Sequence, residues 1–364
     1  GDDVLLGFGS NDLLIGGDGS DVLDGGDGVD TVTFADATEG VSLTMSTNTV
    51  SNDGFGNSEV IRDIENIIGS DYNDTIYASN QDGIDTASFA GANQSVVVNL
   101  ANEWARDDGH GNGEHLRGIE NLHGSSQTDQ FFGDAQDNEL YGYGGDDFLF
   151  GGGGNDYING GGGKDVIDGE GGNDTASFDG ATQTVKVNLD NQWVADDGFG
   201  NGEKIRNIQN LDGSDQTDQF FGDSQDNVFR GYDGDDFLFG GAGSDTLIGG
   251  AGTDVLRGQG GSDIFGFTSF DGSVDQIKDF TVTGGSSDQI NITDLLSGFS
   301  QGSSDLNNFA RLINQNSATA DLQVNADGQG TDFVTIAHLR GSDFNGLSID
   351  DLSSNIITNE TLIA

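Results

Sequence analysis

The sequence contains no cysteine, no proline, and only 12 lysine and arginine residues among its 364 positions. Without cysteine, neither disulfides nor thiolate metal ligands can hold the fold. With 63 acidic residues the formal net charge is −51, which excludes neutralisation of a nucleic-acid backbone and docking on an anionic lipid surface. No stretch approaches the roughly 18 apolar residues of a membrane-spanning helix. We therefore predict neither nucleic-acid binding nor membrane insertion.

Acidic residues and glycine are what the sequence has in excess, with 62 glycines. A chain with this charge folds only if something cancels it, and a cation is the simplest candidate. The sequence opens at Gly1-Asp2-Asp3 in the middle of a repeat, with no initiating Met and no charged-then-apolar leader. We therefore expect a segment of a longer protein that has no Sec-type signal peptide here.

A nine-residue repeat dominates the sequence and is marked by an acidic or amide anchor residue. The second residue after each anchor is apolar, as in Leu23 after Asp21. Glycine-rich stretches permit tight turns, and three residues with a central apolar side chain form a short strand. Two turns and two strands then close one coil in 18 residues, and coils stack as parallel strands. The predicted fold is all-β, a parallel β-roll. The anchors are Asp3, Asp12, Asp21, Asp30, Asp129, Asn138, Asp147, Asp156, Asp165, Asp174, Asp218, Asn227, Asp236, Asp245, Asp254 and Asp263.

A second repeat interrupts the first at three places. The anchors Asp30, Asp85 and Asp174 are each followed 44 residues later by another Asp, namely Asp74, Asp129 and Asp218. The three segments align without gaps, which predicts three inserted β segments at about 31–73, 86–128 and 175–217.

Stacking would bring anchor carboxylates 18 residues apart to within about 5 Å of each other. Two bare carboxylates at that distance repel by about 3 kcal/mol at an effective dielectric constant of 20. A divalent cation reverses the sign, and oxygen-only, flexible coordination favours calcium over magnesium or zinc. We therefore predict about ten or more calcium ions. The alternative for each Asp is an Asx-turn that only caps its own loop. The predicted pairs are Asp3/Asp21, Asp12/Asp30, Asp129/Asp147, Asn138/Asp156, Asp147/Asp165, Asp156/Asp174, Asp218/Asp236, Asn227/Asp245, Asp236/Asp254 and Asp245/Asp263.

The nonapeptide G-G-x-G-x-D-x-U-x resembles the repeat of the RTX (hemolysin-type) calcium-binding family. Six blocks match it fully, at 16–24, 25–33, 151–159, 160–168, 240–248 and 249–257. The resemblance implies a calcium-bound β-roll in which glycine carbonyls join the anchors, with Asp74 as a further ligand. The implied glycine ligands are Gly16, Gly19, Gly142, Gly144, Gly151, Gly153, Gly160, Gly161, Gly163, Gly231, Gly240, Gly243, Gly249, Gly250 and Gly252.

Each insert also carries the motif Asp-Gly-x-Gly-Asn-x-Glu, and two interpretations stay open. The motif forms either an additional oxygen cage for a metal or a glycine-rich hairpin turn with solvated charges. The residues concerned are Asp53, Asn57, Glu59, Asp108, Asn112, Glu114, Asp197, Asn201 and Glu203.

Aromatic residues at Phe148, Phe150, Phe237 and Phe239 flank inward-facing leucines, so they point outward on a strand. They either form a partner-binding patch or, as we expect, pack under the inserts or the C-terminal segment. Trp104 and Trp193 occupy equivalent insert positions, where the alternative is stacking on a sugar.

The nine-residue register ends after Asp263, which predicts a second region at 268–364 after a roll at 1–267. Strands are expected at 274–280, 288–292 and 333–339, and short helices at 305–313 and 348–353. The Asp275-Gln-Ile, Asp288-Gln-Ile and Asp294-Leu-Leu segments resemble the C-terminal target domain of type I secreted proteins. That resemblance implies recognition by a type I secretion transporter; the alternative is a simple end cap on the roll.

The function that these observations favour is calcium-dependent folding and type I secretion, at the C-terminus of a large extracellular or cell-surface RTX protein of the adhesin class. No catalytic motif occurs, and we predict that the chain is not an enzyme. The alternatives are the repeat region of a secreted RTX lipase, protease or alginate epimerase, and a calcium-dependent module that binds a glycan or cell-surface target.

Overall fold

The computed structural model describes residues 1–72, 74–78, 85–282, 286–296, 306–329, 331–349, 351–352 and 356–358. It is an all-β structure that divides into two compact units. The first consists of Gly1–Ala176 with Arg206–Ile208, and the second of Ser177–Ile205 with Gln209–Ala364. This partition does not test the predicted boundary at residue 267, which stays a prediction.

The first unit contains two sheets whose strands alternate along the chain. Its strands are β1 (Val4–Leu6), β2 (Leu13–Leu14), β3 (Val22–Asp24), β4 (Thr31–Thr33), β5 (Ser42–Thr44), β6 (Thr49–Asn52), β7 (Glu59–Arg62), β8 (Asn66–Ile68), β9 (Thr75–Tyr77), β10 (Thr86–Ser88), β11 (Val96–Asn99), β12 (Trp104–Asp108), β13 (Glu114–Arg117), β14 (Asn121–His123), β15 (Gln130–Phe132), β16 (Glu139–Tyr141), β17 (Phe148–Gly153), β18 (Tyr157–Asn159), β19 (Val166–Gly171) and β20 (Thr175–Ser177).

The second unit repeats the arrangement and adds the C-terminal strands. Its strands are β21 (Val185–Asn188), β22 (Trp193–Asp197), β23 (Glu203–Arg206), β24 (Asn210–Asp212), β25 (Gln219–Phe221), β26 (Val228–Asp233), β27 (Phe237–Ala242), β28 (Thr246–Ala251), β29 (Val255–Gly260), β30 (Ile264–Gly266), β31 (Asp275–Phe280), β32 (Gln289–Asn291), β33 (Ala310–Ile313), β34 (Thr319–Val324), β35 (Val334–Gly341) and β36 (Ile356–Ile357).

Helical structure in the described residues is limited to four 3₁₀ turns, at Met45–Thr47, Leu100–Asn102, Thr293–Leu295 and Leu306–Asn308. Within these ranges no helix has the length and apolar character needed to cross a membrane.

The predicted 18-residue coil is confirmed by the parallel register of the strands. Leu149 of β17 pairs with Ile167 of β19, and Leu140 of β16 pairs with Ile158 of β18. The apolar residue two positions after each anchor points between the sheets. From the second anchor onward these side chains are at most 3% exposed, whereas Leu5 in the first strand is half-buried. The core is therefore a thin ladder with one inward side chain per strand.

The inserts are expanded coils of the roll. In the first, β7, β6 and β5 form an antiparallel meander inside one sheet, in the order β3-β7-β6-β5-β9. Strand β8 adds to the other sheet beside β4. The second insert repeats this order as β9-β13-β12-β11-β15, and the third continues as β23-β22-β21-β25 within the second unit. Each insert therefore adds three strands to one sheet. The two outer strands of each meander pair with the strands of the neighbouring coils.

The C-terminal strands continue the stack. Strand β31 pairs with β29, β32 pairs with β30, and β33-β34-β35 form a meander beside β31. The three strands expected here are confirmed as β31, β32 and β35. Of the range 305–313, only Leu306–Asn308 forms a helical turn, of the 3₁₀ type, whereas Ala310–Ile313 is a strand because it pairs with β34. In the second range the described residues form no regular helix; they carry two i-to-i−3 hydrogen bonds, from Asp351 to Ser348 and from Leu352 to Ile349. Residues 305, 350 and 353 of those two ranges, 297–299 of the Asp294 segment and the last six residues lie outside the described residues.

The prediction that the phenylalanines beside the inward leucines point outward is confirmed. The expectation that they pack under the inserts or the C-terminal segment is wrong. Phe148 and Phe237 are 40% and 38% exposed. Phe150 stacks on Phe132 at 5.1 Å, and Phe239 stacks on Phe221 at 5.2 Å. The stacking partners lie on adjacent strands of the same sheet, since parallel pairing places equivalent side chains side by side.

Candidate metal centre

All ten predicted anchor pairs are neighbours in the roll, joined by the same hydrogen bond. The backbone N–H of the first residue donates to the side-chain Oδ1 of the residue 18 positions later, over 2.7–3.0 Å. The anchor at the end of each glycine turn thus has its Oδ1 fixed by the preceding coil. Its second carboxylate oxygen, Oδ2, points elsewhere.

The Oδ2 atoms of many anchors are buried and accept no hydrogen bond from a described residue. This holds for Asp12, Asp21, Asp30, Asp147, Asp156, Asp236, Asp245 and Asp254. Each lies against the glycine five positions before its own anchor. A Cβ placed on Gly142 would overlap Asp147 Oδ2 and lie 2.6 Å from the carbonyl oxygen of Gly160 in the next coil. A carboxylate oxygen and a carbonyl oxygen converge in this way on Gly7, Gly25, Gly142 and Gly231.

The predicted glycine ligands fall into two groups. Those five positions before an anchor face its Oδ2, and they are Gly16, Gly142, Gly151, Gly160, Gly231, Gly240 and Gly249. Those within the turn lie against a carbonyl of a neighbouring coil, and they are Gly19, Gly144, Gly153, Gly161, Gly163, Gly243, Gly250 and Gly252. Gly163 shows why no other residue fits: its φ is +155°, and a Cβ would overlap the carbonyl oxygen of Gly145.

This donor set fits a hard cation. A buried carboxylate oxygen without a partner is costly unless a cation satisfies it. Within the described ranges no three His, Asp or Glu side chains converge as a metal cluster, so carbonyl oxygens must complete the coordination. Mixed carboxylate and carbonyl oxygens are what calcium accepts in its flexible, high-coordination shells. Anchor Asp residues and glycine carbonyls would hold the ion, and its charge would neutralise the ladder.

In five predicted ligands both polar atoms of the side chain are hydrogen-bonded. At the end of each insert, the anchor carboxylate accepts from Ser N and Oγ four positions earlier and from a valine N–H, as in Asp129 with Ser125 and Val96. Asp74 and Asp218 have the same contacts. Asn138 and Asn227 accept a backbone N–H in their own turn and donate to a carbonyl. These side chains cap turns, as the Asx-turn alternative describes.

The anchor ladder extends beyond the residues that the nine-residue spacing identified. Asp30 N–H donates to Glu65, and Asp85 N–H donates to Glu120. In the C-terminal region, Asp254 and Asp263 donate to Asp275 and Asp288 respectively. The second residue after each of these four acidic residues is apolar, as after the other anchors, which is the signal that would have found them.

A second, exposed ladder runs beside the first and was missed from the sequence. The residue before an anchor accepts the backbone N–H of the residue 18 positions later, as in Asp146 with Lys164 and Asp235 with Thr253. Asp137 and Asp226 act in the same way. Adjacent turns are therefore tied together by the anchor side chain and by the side chain of the residue before it.

The Asp-Gly-x-Gly-Asn motif of the inserts is a closed turn. Asp53 accepts hydrogen bonds from the backbone N–H of Phe55 and of Asn57, and from the Asn57 side chain. Asp108 with Asn112 and Asp197 with Asn201 repeat these contacts. The contacts match a glycine-rich turn for the Asp and Asn residues, but the charges are not solvated, because Asp53, Asp108 and Asp197 are buried. Glu59, Glu114 and Glu203 belong to the following strands, where all three are buried.

Burial raises the pKa of four anchor carboxyls, those of Asp147, Asp156, Asp236 and Asp245, well above the usual 3.8. Desolvation, with repulsion from neighbouring anchors, raises the pKa of Asp147 and of Asp236 to about 8. The same causes raise the pKa of Asp156 and of Asp245 to about 7. Without a cation the folded ladder therefore favours protonated carboxyls.

We predict that the metal-free chain loses β structure as the pH rises. A folded pKa above the unfolded value gives stability that is fully present below about pH 4 and is lost as the pH rises through 7 to 8. Circular dichroism in chelator between pH 4 and pH 8.5 measures this, and saturating calcium is the control in which strand content stays high at neutral pH. Strand content that is constant or rises with pH in chelator would contradict it.

Gly142→Ala is expected to weaken calcium binding and destabilise the roll. The added Cβ would displace Asp147 Oδ2 or the Gly160 carbonyl, so both converging oxygens move. Gly91→Ala is the matched control, because a Cβ there meets no described atom within 4 Å. The melting temperature in calcium should fall for Gly142→Ala and stay near the parent value for Gly91→Ala; equal melting temperatures would refute the assignment.

Comparison with known proteins agrees with this geometry. The RTX calcium-binding nonapeptide repeat (4 copies) matches residues 1–33, 62–82, 123–158, 141–176, 212–247 and 239–266. The chain belongs to the RTX calcium-binding nonapeptide-repeat family. Several RTX repeats are therefore present, and calcium is their ligand. The matched ranges include the turns in which Oδ2 and glycine carbonyls converge.

Two solved structures are similar to parts of this RTX chain. The AlgE6R3 subunit of the mannuronan C5-epimerase from Azotobacter vinelandii is 28% identical, with 40% of this chain and 80% of that chain covered and a TM-score of 0.30. The extracellular lipase LipA from Serratia marcescens is 22% identical, with 65% of this chain and 39% of that chain covered and a TM-score of 0.19. The chain thus spans well under half the length of the lipase. No curated protein matches the chain.

Proposed function

We propose that this chain is the calcium-dependent folding and type I secretion module of a large extracellular RTX protein of the adhesin class, and that it has no catalytic activity of its own. The observation that carries the proposal is the ladder of buried anchor carboxylates whose Oδ2 atoms accept no hydrogen bond from a described residue. Such a ladder is stable when cations occupy it and unstable when they are absent. Folding is therefore conditional on calcium.

Conditional folding suits export through a transporter. Extracellular calcium modules have dissociation constants of about 0.1–1 mM, far above cytosolic free calcium. The chain would stay unfolded in the cytosol and fold on reaching calcium outside. Proteins with RTX repeats are typically secreted by type I systems.

Residues 268–364 have two roles in this proposal: they cover the last coil of the roll and they are recognised by the transporter. The first role is supported by β31 and β32, which pair with the last coil and place Asp275 and Asp288 beside Asp254 and Asp263. An uncovered coil would expose backbone groups and the core ladder.

Deleting residues 268–364 is expected to abolish secretion and to leave a roll that folds poorly in millimolar calcium. Secretion is measured as the chain recovered outside cells that carry a type I transporter, and folding by circular dichroism of the purified protein. Asp236→Ala in the full chain is the control, because it damages the ladder and leaves the C-terminal region intact, so export should persist. A truncated chain that is exported and folds fully would refute both roles.

The alternative function is the repeat region of a secreted lipase, protease or epimerase. It requires hydrolytic or epimerase activity in the complete protein.

A second candidate function is binding of a neutral glycan, and one observation favours it. Two equivalent aromatic rows cross the outer face of one sheet in each unit. In the first, Trp104, Asn99, Phe132 and Phe150 are neighbours on four adjacent strands; in the second they are Trp193, Asn188, Phe221 and Phe239. The tryptophans are 37% and 45% exposed. Flat apolar rings with interspersed amides suit a sugar face, and the charge of −51 disfavours an anionic one.

Trp193→Ala is expected to lower affinity for a bound neutral oligosaccharide by about tenfold, because a ring contact contributes about 1 kcal/mol or more. A glycan array in calcium identifies the ligand, and titration calorimetry then compares the variants. Phe270→Ala is the control, since Phe270 is equally exposed and lies outside both rows. Binding to no array glycan, or equal affinity of parent and Trp193→Ala, would exclude this function.

A further inference from the structure

The point where the first insert rejoins the roll carries an acidic pair that the nine-residue spacing does not contain. Strand β7 pairs in parallel with β3, so that Val60 lies beside Val22. The backbone N–H of Val60 donates to the carbonyl oxygen of Asp21 over 2.9 Å, as that of Val22 does to Asp3. Glu59 therefore stands next to Asp21, in the position that the anchor Asp of the next coil would occupy.

Both members of this pair are buried, and three of their four carboxylate oxygens have no partner. Glu59 is 2% exposed and Asp21 is 1% exposed. Neither Oε1 nor Oε2 of Glu59 accepts a hydrogen bond from a described residue, and neither does Asp21 Oδ2. A Cβ placed on Gly16 would lie 2.6 Å from Asp21 Oδ2 and 2.9 Å from Glu59 Oε1. The two carboxylates thus face the same glycine, as an anchor Oδ2 and a carbonyl do elsewhere in the roll.

We infer that Asp21 and Glu59 form an additional calcium site at the junction between the first insert and the roll. Two buried carboxylates that face one point repel each other unless a cation lies between them. Their hard oxygens, with the longer reach of the Glu side chain, suit calcium rather than zinc. Asp53 is not a ligand, because its carboxylate is engaged by Phe55 and Asn57; its turn positions β7.

The corresponding pair of the second insert differs in a way that provides an internal comparison. Glu114 stands beside Asp74, since His115 pairs with Thr75, and both side chains are buried. Asp74, however, accepts hydrogen bonds from Val41 and Ser70, and its carboxyl group hydrogen-bonds to Glu114. This pair has fewer oxygens to offer a cation. Of these two junctions, the first therefore offers a cation the more complete set of oxygen donors.

The site rests on the proposed calcium-dependent roll, and native mass spectrometry of the full chain tests the two separately because it counts bound calcium ions. At saturating calcium, Glu59→Gln should bind one ion fewer than the parent, whereas Glu114→Gln should bind the parent number. Circular dichroism of both variants in calcium should match the parent. An unchanged count for Glu59→Gln, or an equal loss in both variants, overturns the inference. A parent chain that binds no calcium would instead refute the proposed function.

Glu59→Asp keeps the charge and shortens the side chain. This variant tests the proposed site if Glu59→Gln does not fold. As calcium is lowered, Glu59→Asp should lose one ion at a higher calcium concentration than the parent does. Identical counts for the parent and Glu59→Asp at every concentration overturn the inference.

Discussion

Removing calcium is expected to convert the folded roll into an expanded chain at neutral pH. The core is a ladder with one inward side chain per strand, and buried anchors such as Asp147 and Asp236 line each turn. With no cation these carboxylates repel one another and the charge of −51 favours expansion. Binding free energy is then part of the folding free energy.

The size of this effect follows from mass action. Calcium at about 100 times the dissociation constant stabilises the folded state by about 2.7 kcal/mol per independent site. Ten sites would give roughly 27 kcal/mol, an upper bound because neighbouring sites share ligands. Most domains have a net free energy of unfolding of about 5–15 kcal/mol. The free energy lost with a few calcium sites is therefore as large as the whole net stability of a typical domain.

Far-UV circular dichroism with and without chelator measures the change, and analytical ultracentrifugation reports the expansion. Magnesium at the same concentration is the control for ionic strength; it should not restore the fold, because its small octahedral shell suits flexible carbonyl donors poorly. Equal strand content in chelator and in millimolar calcium would refute the proposed folding mechanism.

Asp236→Ala is expected to abolish two neighbouring calcium sites, whereas Asp3→Ala abolishes one. Asp236 accepts the N–H of Asp218, and its own N–H donates to Asp254, so it belongs to two pairs. Asp3 belongs to one pair and is exposed. At about 100 times the dissociation constant the expected losses are about 5 and about 2.7 kcal/mol. Calcium stoichiometry and thermal unfolding in calcium measure both.

Asp236→Asn separates the charge from the hydrogen bond. The amide oxygen keeps the acceptor for Asp218 N–H but carries no charge, so calcium stabilisation falls. In chelator at neutral pH the effect of the substitution on stability reverses its sign. The variant should be more stable than the parent, since desolvation raises the pKa of Asp236 to about 8 and the ionised form of its carboxyl group is disfavoured.

The two alanine variants test the ladder geometry itself. Equal calcium stoichiometry in Asp3→Ala and Asp236→Ala would contradict it.

The sequence alone was sufficient for the roll and its register. The spacing of the anchors places Leu149 beside Ile167 and Asp147 beside Asp165, because an 18-residue coil stacks equal positions on each other. The inward direction of the apolar residues follows from the same alternation. These features are local and repeated, so one motif predicts all of its copies.

The way in which the roll accommodates the three inserts could not be predicted from the repeat spacing. Glu59 is 38 residues from Asp21, and no fixed spacing shows that it takes an anchor position; the pairing of β7 with β3 does. Within the helix expected at 305–313, Ala310–Ile313 is a strand because its partner β34 is available. The exposed Phe148 shows the same limit, because alternation along the strand predicts its outward direction but not whether another segment covers it. Repetition determines contacts between successive coils, whereas contacts across an insert depend on pairings between distant segments.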